Sequence, residues 1–105
     1  MDIAELAAAH WRLCKWLDET EAEHKLPAES ALRKIGRYLR ENGVEVIDVT
    51  GKPFEGGLSV EVVGGVPEDL PAEAGLVIQQ TIHPIVLQNG ELLSYGRVIV
   101  GRDTD

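Results

Sequence analysis

The chain has 105 residues and a formal net charge of −8, from 18 acidic and 10 basic side chains. That length allows one small domain, or one domain with an oligomerisation element, and an acidic chain gains no counterion release from a phosphate backbone, which argues against a nucleic-acid partner. A single cysteine rules out an intrachain disulfide, which fits the cytoplasm, and no apolar run approaches the roughly 20 residues of a membrane span.

Asp2 followed three residues later by Glu5 predicts an N-cap and capping box, with the helix expected to run to about Glu23. The N-terminus opens with an acid and lacks the basic region of a signal peptide. At 100° per residue, Ile3, Leu6, Ala7, His10, Leu13, Cys14 and Leu17 share one face, flanked by Trp11 and Trp16. This arc is wider than the ~100° stripe that packs on a single partner. Two neighbours are therefore expected, the next helix and a second copy of the chain.

Pro27 marks the start of a second helix, expected over 27–42. Ala28, Ala31, Leu32, Ile35, Tyr38 and Leu39 share its narrower face, with Gly36 at the border. Glu41-Asn42-Gly43-Val44 reads as its stop, with Gly43 in the left-handed position. Helices joined this closely form an antiparallel hairpin, and two hairpins face to face make a four-helix bundle. Ile3, Leu6, His10, Leu13, Leu17, Ile35 and Leu39 are expected to line that dimer interface. Asp18, Glu19, Glu21 and Glu23 cluster late in the first helix, whereas Arg33, Lys34, Arg37 and Arg40 follow the outer face of the second. A solvated surface is the simpler reading of these charges, and a docking strip for an acidic partner the sharper one.

From Val44 the period changes. Val44, Val46, Ile47 and Val49 predict a short strand, and Leu58, Val60 and Val62 alternate as a half-buried one. Gly64 to Gly75 reads as an acidic, mobile loop through Glu68, Asp69, Pro71 and Glu73. Further strands are expected at about 76–82, 85–88 and 91–100, with a frayed tail over Gly101–Asp105. Asn89-Gly90 is the dipeptide that best tolerates the two positive φ angles of a tight hairpin turn. Pro84 has no N–H for a ladder and belongs at an edge or a break.

Little here looks like catalytic machinery. His10 and Cys14 are four apart on one helix face, but two ligands are too few for structural zinc, and core packing is the expected role of both. His83 beside Pro84 reads as a strand-edge histidine. Gly56-Gly57 and Gly64-Gly65 are not followed by Lys-Ser/Thr and a helix, so neither is a phosphate loop. Trp11 and Trp16 read as bundle core, not as a ligand cage. No catalytic residue, metal or cofactor is expected.

The β half resembles the C-terminal domain of the GrpE family, bacterial nucleotide exchange factors for Hsp70 chaperones. The resemblance rests on Gly43-Val44-Glu45-Val46-Ile47-Asp48, Gly51-Lys52-Pro53-Phe54 and Leu58, then on Gly75, Val77, Ile78, Leu87, Asn89, Gly90, Leu92, Leu93, Val98 and Val100 in register with about one inserted residue. The helical hairpin stands where that family has its dimeric four-helix bundle. The resemblance implies an α+β fold, with an N-terminal helical hairpin (1–43, dimerisation) followed by a small C-terminal β domain (44–105). It also implies an Hsp70/DnaK-type ATPase as partner, whose nucleotide cleft the β domain opens. Asn89, Gly90, Glu91, Ser94 and Val100 then occupy partner-binding positions, supported from the core by Leu92, Leu93 and Val98.

The departures are specific. The family's long N-terminal stalk has no counterpart before the hairpin in this sequence. Its D-P-N-L-H segment is Glu55-Gly56-Gly57-Leu58-Ser59 here, and two customary arginines, the second followed by proline, are replaced by Glu91 and by Ser94-Tyr95. Replacing Arg by Glu reverses the Coulomb sign at a charged contact. A rival reading is therefore a dimeric interaction or adaptor module that no longer exchanges nucleotide. A small enzyme built around His83 or Cys14 is a second, more distant rival.

Overall fold

A computed structural model of the chain describes residues 1–21, 23–54, 57–65 and 75–102. Two helices are followed by six strands: α1 (Ile3–Glu19), α2 (Leu26–Glu41), β1 (Val44–Ile47), β2 (Val60–Gly64), β3 (Leu76–His83), β4 (Ile85–Gln88), β5 (Glu91–Ser94) and β6 (Gly96–Arg102). The fold class is α+β, a helical hairpin with a β region after it. Most of the acidic loop, including Glu68, Asp69, Pro71 and Glu73, lies outside the described residues, as do Ala22, Glu55, Gly56 and Asp103–Asp105. Among the described residues no helix is long and apolar enough to cross a membrane.

Asp2 caps α1 by accepting the Glu5 backbone N–H at 2.8 Å. The helix ends at Glu19, four residues short of the expected Glu23, with Thr20 already extended. Charge explains the early stop. Asp18, Glu19, Glu21 and Glu23 repel one another at the negative end of the helix dipole, and the last turn has no basic residue to offset them. Lys25 supplies that charge from beyond the turn, donating to the Leu17 carbonyl at 3.0 Å. α2 stops where Gly43 takes φ +73°, its N–H bonded to the Arg40 carbonyl at 3.0 Å.

The strands form two three-stranded sheets, ordered β1-β4-β5 and β2-β6-β3. β6 lies parallel to β2 and antiparallel to β3. Asn89 (φ 51°) and Gly90 (φ 84°) make the expected tight turn between β4 and β5, and Pro84 falls in the gap between β3 and β4. The strand expected over 91–100 is broken at Tyr95, because β5 pairs in one sheet and β6 in the other. Gly96 starts the new strand in a crowded place. A Cβ there would lie 3.1 Å from both Ile85 Cγ1 and Val60 Cγ1 and 3.2 Å from the His83 carbonyl oxygen. Gly101 and Arg102, expected in a frayed tail, continue β6 opposite Val77 and Leu76.

Two compact units result. The first contains Met1–Val46 and Val86–Leu93, so the tip of the β4–β5 hairpin belongs with the helices. Its core is Ala7, Leu39, Val44 and Val86, with Ile3, Leu6, Ile35 and Val46 against it. The second contains Ile47–Ile85 and Ser94–Asp105. Its buried residues include Val49, Ile78, Val98 and Val100, each about 1.5–3 kcal/mol of burial. Buried Thr81 is satisfied by the Thr50 hydroxyl at 2.8 Å.

In the first unit, the Asn89 N–H donates to the Gly43 carbonyl at 2.9 Å, and Gln88 Nε2 donates to the Asn42 carbonyl at 3.0 Å. The Asn89 side chain fills the space that a Cβ on Gly43 would need. Gly43→Ala therefore meets both a steric and a conformational barrier. It is expected to lower stability by at least about 1–2 kcal/mol, the cost of a left-handed non-glycine residue, read as a fall in the urea midpoint at constant m-value.

Candidate functional site

The contacts between α1 and α2 run in antiparallel order, Leu17 beside Lys25 and the start of α2, His10 beside Leu32 and Gly36. The seam of this hairpin has two sides, both touching Leu17 and Leu32. One is an apolar groove of about 220 Å³ lined by Leu13, Trp16, Leu17, Ala28, Ala31, Leu32 and Ile35. Leu13 is 53% and Trp16 58% exposed, and a second hollow lies beside them against Ala9 and Arg12. These two large apolar side chains are exposed on the same helix and line the same groove.

The other side is polar. His10 donates Nε2–H to the Leu32 carbonyl at 2.7 Å and fits against α2 because Gly36 has no side chain; a Cβ there would lie 3.3 Å from the ring. This ties His10 into the intrachain seam. Cys14 Sγ lies 3.6 Å from the same Nε2 and 4.0 Å from Nδ1, long contacts at the limit for sulfur. Burial pushes the Cys14 thiol above its ordinary value, and the nearby Asp18 carboxylate pushes it further the same way. A nucleophilic cysteine needs the opposite shift. Among the described residues no group of three metal-ligating side chains exists. His83 donates Nδ1–H to the Pro84 carbonyl at 2.9 Å, a local strand-end contact. Trp11 carries the Lys15 ammonium 5.1 Å above its ring centre, a cation–π pair of about 0.5–1 kcal/mol.

The positions that the GrpE resemblance assigns to a partner contact separate into two groups. Asn89, Gly90 and Glu91 are exposed at the hairpin tip, and Ser94, half-buried, follows on β5. The Ser94 hydroxyl donates to the Tyr95 carbonyl at 3.4 Å. Val100 is fully buried between the flanking strands of its sheet, so it presents nothing to a partner. Conversely, Leu92 and Leu93, expected as core supports, are 37% and 41% exposed, because β5 is the edge of a three-stranded sheet. Tyr95, which follows β5, is 62% exposed. The tip therefore carries an acid and a turn, followed by three exposed large side chains on one short stretch.

The residues expected at a dimer interface are also divided. Leu13 is exposed, Leu17 and Leu39 are buried within the chain, and Ile3, Leu6 and Ile35 rest against the core of the first unit. Trp16, expected as bundle core, is 58% exposed in the single chain and is the largest exposed member of the apolar groove. No family model, curated protein or solved structure matches this chain.

Cys14 chemistry follows from its surroundings. Alkylation by iodoacetamide at pH 8 is expected to run slower than for a free thiol, and Asp18→Asn to speed it by removing one cause of the raised pKa. The folded state holds this proton more tightly than the unfolded chain, so its contribution to stability is present below about pH 9 and declines as pH rises beyond it. An alkylation rate equal to that of free cysteine would contradict this environment.

Proposed function

We propose that the chain is a GrpE-like co-chaperone, a homodimer that speeds ADP release from an Hsp70/DnaK-type ATPase in the cytoplasm. The observation that carries the reading is the β4–β5 tip. Asn89-Gly90-Glu91 is exposed and is hydrogen-bonded, through Asn89 and Gln88, to the end of α2. It stands where the family resemblance puts the chaperone contact. The element order, a helical hairpin and then a β region, supports the same reading.

The job asks for no chemistry from this chain. A tip fixed to a helix end acts as a wedge, favouring an ATPase conformation in which the nucleotide cleft is open. ADP makes fewer contacts in that state, so its affinity falls by the free energy with which the wedge prefers it. A wedge must be stiff to do this. The Gly43–Asn89 contact supplies stiffness at the tip, and dimerisation through Leu13 and Trp16 would supply it at the hairpin.

A second reading is favoured by Glu91. An exposed acid at a contact that customarily carries Arg repels an ordinary Hsp70 surface. With Leu92 and Leu93 exposed beside it on β5, the same edge would serve a non-exchanging adaptor.

Fluorescent ADP release from an Hsp70 ATPase domain separates these readings. Acceleration of tenfold or more, a barrier lowered by about 1.4 kcal/mol, is expected for an exchange factor. Dimer formation without any acceleration would leave the adaptor. Glu91→Arg is expected to tighten binding to an ordinary Hsp70, and unchanged or weaker binding would break the mapping of the tip. In sedimentation, a mass of two chains at micromolar concentration is expected, falling to one for Leu13→Glu with Trp16→Glu.

A further inference from the structure

We propose that the outer face of α2 is a docking strip for an acidic protein segment, a surface separate from the β4–β5 tip and independent of the exchange reading. Arg33, Arg37 and Arg40 follow one another at i, i+4 and i+7, a spacing that stacks them along one side of the helix. All three are exposed, as is Lys34 beside them. Among the described residues, none of the four is paired with a carboxylate. The chain has 10 basic side chains in all, so this face holds a large share of them unneutralised while the remainder of the molecule is strongly acidic. The helix dipole accounts for Arg40, in the last turn, but its influence does not reach back to Arg33 and Lys34.

The strip also has shape. Arg33 and Arg40 line a cleft of about 200 Å³ on the polar side of the seam, with Leu17, Leu32 and Gly36 among its lining. An apolar side chain from a partner can enter there while flanking carboxylates take the guanidinium groups in forked, charge-assisted pairs. Asp18 and Glu29 border the same cleft near the inter-helix turn. They repel carboxylates at that end and leave the Arg37–Arg40 end as the anion-accepting one, which gives the strip a direction. A nucleic acid fits poorly, since its continuous charge would meet the acidic remainder of the chain. A short acidic segment meets only the strip. The apolar groove with Trp16 is on the other side of the seam, so both surfaces are usable together.

The test is fluorescence anisotropy with the full chain and a labelled helical peptide bearing glutamates at i, i+4 and i+7 around one leucine. Saturable binding is expected, weakened about tenfold or more by Arg37→Glu with Arg40→Glu, and lost when the peptide glutamates are glutamines. Lys52→Glu with Arg97→Glu changes the net charge equally at exposed positions elsewhere, and is expected to leave binding within about twofold. Equal losses in both variants would show undirected attraction and overturn the proposal. So would a duplex DNA that binds as tightly as the peptide, or a peptide affinity that high salt leaves unchanged. Circular dichroism melting of each variant confirms that the fold is retained, as expected for exposed helix and strand positions.

Discussion

The last turn of α2 and the tip of the β4–β5 hairpin hold each other in place. Gly43 turns left-handed to end the helix, and its missing side chain is the room that the Asn89 side chain occupies. Asn89 also takes a positive φ to turn its hairpin, and its N–H closes on the Gly43 carbonyl. One glycine thus serves a helix cap and a close approach at once. With the Gln88 bond to the Asn42 carbonyl and Val86 in the helices' core, it fixes the hairpin tip against the helices in its own unit. A tip that works as a wedge or as an adaptor edge depends on that fixation, since a loose loop could bind but could not transmit force.

The helical hairpin presents a different kind of order. Its seam is closed by small and apolar residues, Ala7, Leu17, Leu39 and the gap at Gly36, and by one polar tie from His10 to the Leu32 carbonyl. The seam then divides the exterior into an apolar side and an ionic side. Apolar burial and ion pairing respond differently to solvent: salt screens the second and leaves the first largely intact. A protein with both can hold a permanent neighbour on one side and exchange a transient one on the other.

Much of this architecture was readable in the sequence. The N-cap at Asp2, the stop at Gly43, the Asn89-Gly90 turn and the break at Pro84 are local signals, set by backbone chemistry within a few residues. The end of α1 was not, because it depends on repulsion among acidic side chains that a periodicity ignores. The inside and outside of the last strands were harder still. Leu92, Leu93 and Val100 belong to similar apolar runs, and only pairing decides which are covered. β5 lies at an edge and exposes its leucines, while β6 lies between two strands and buries its valines. Register shifts in β6 pairing, between Ile78 and Gln80 and between Val62 and Gly64, also defeat simple alternation. The tie of His10 to Leu32 is a contact between residues 22 apart, with no trace in either segment alone.

The chain passes from one compact unit to the other at three points, after Val46, after Ile85 and after Leu93. No single cut can therefore separate the units. A fragment ending near residue 43 would carry both helices but forfeit Val86, which completes their core. A fragment starting there would carry Asn89 without its partner carbonyl. The two units of this protein are interleaved in sequence, not joined end to end. A single crossover between two such chains would split at least one unit, so a lineage could remodel its surfaces residue by residue more easily than it could trade one unit for another.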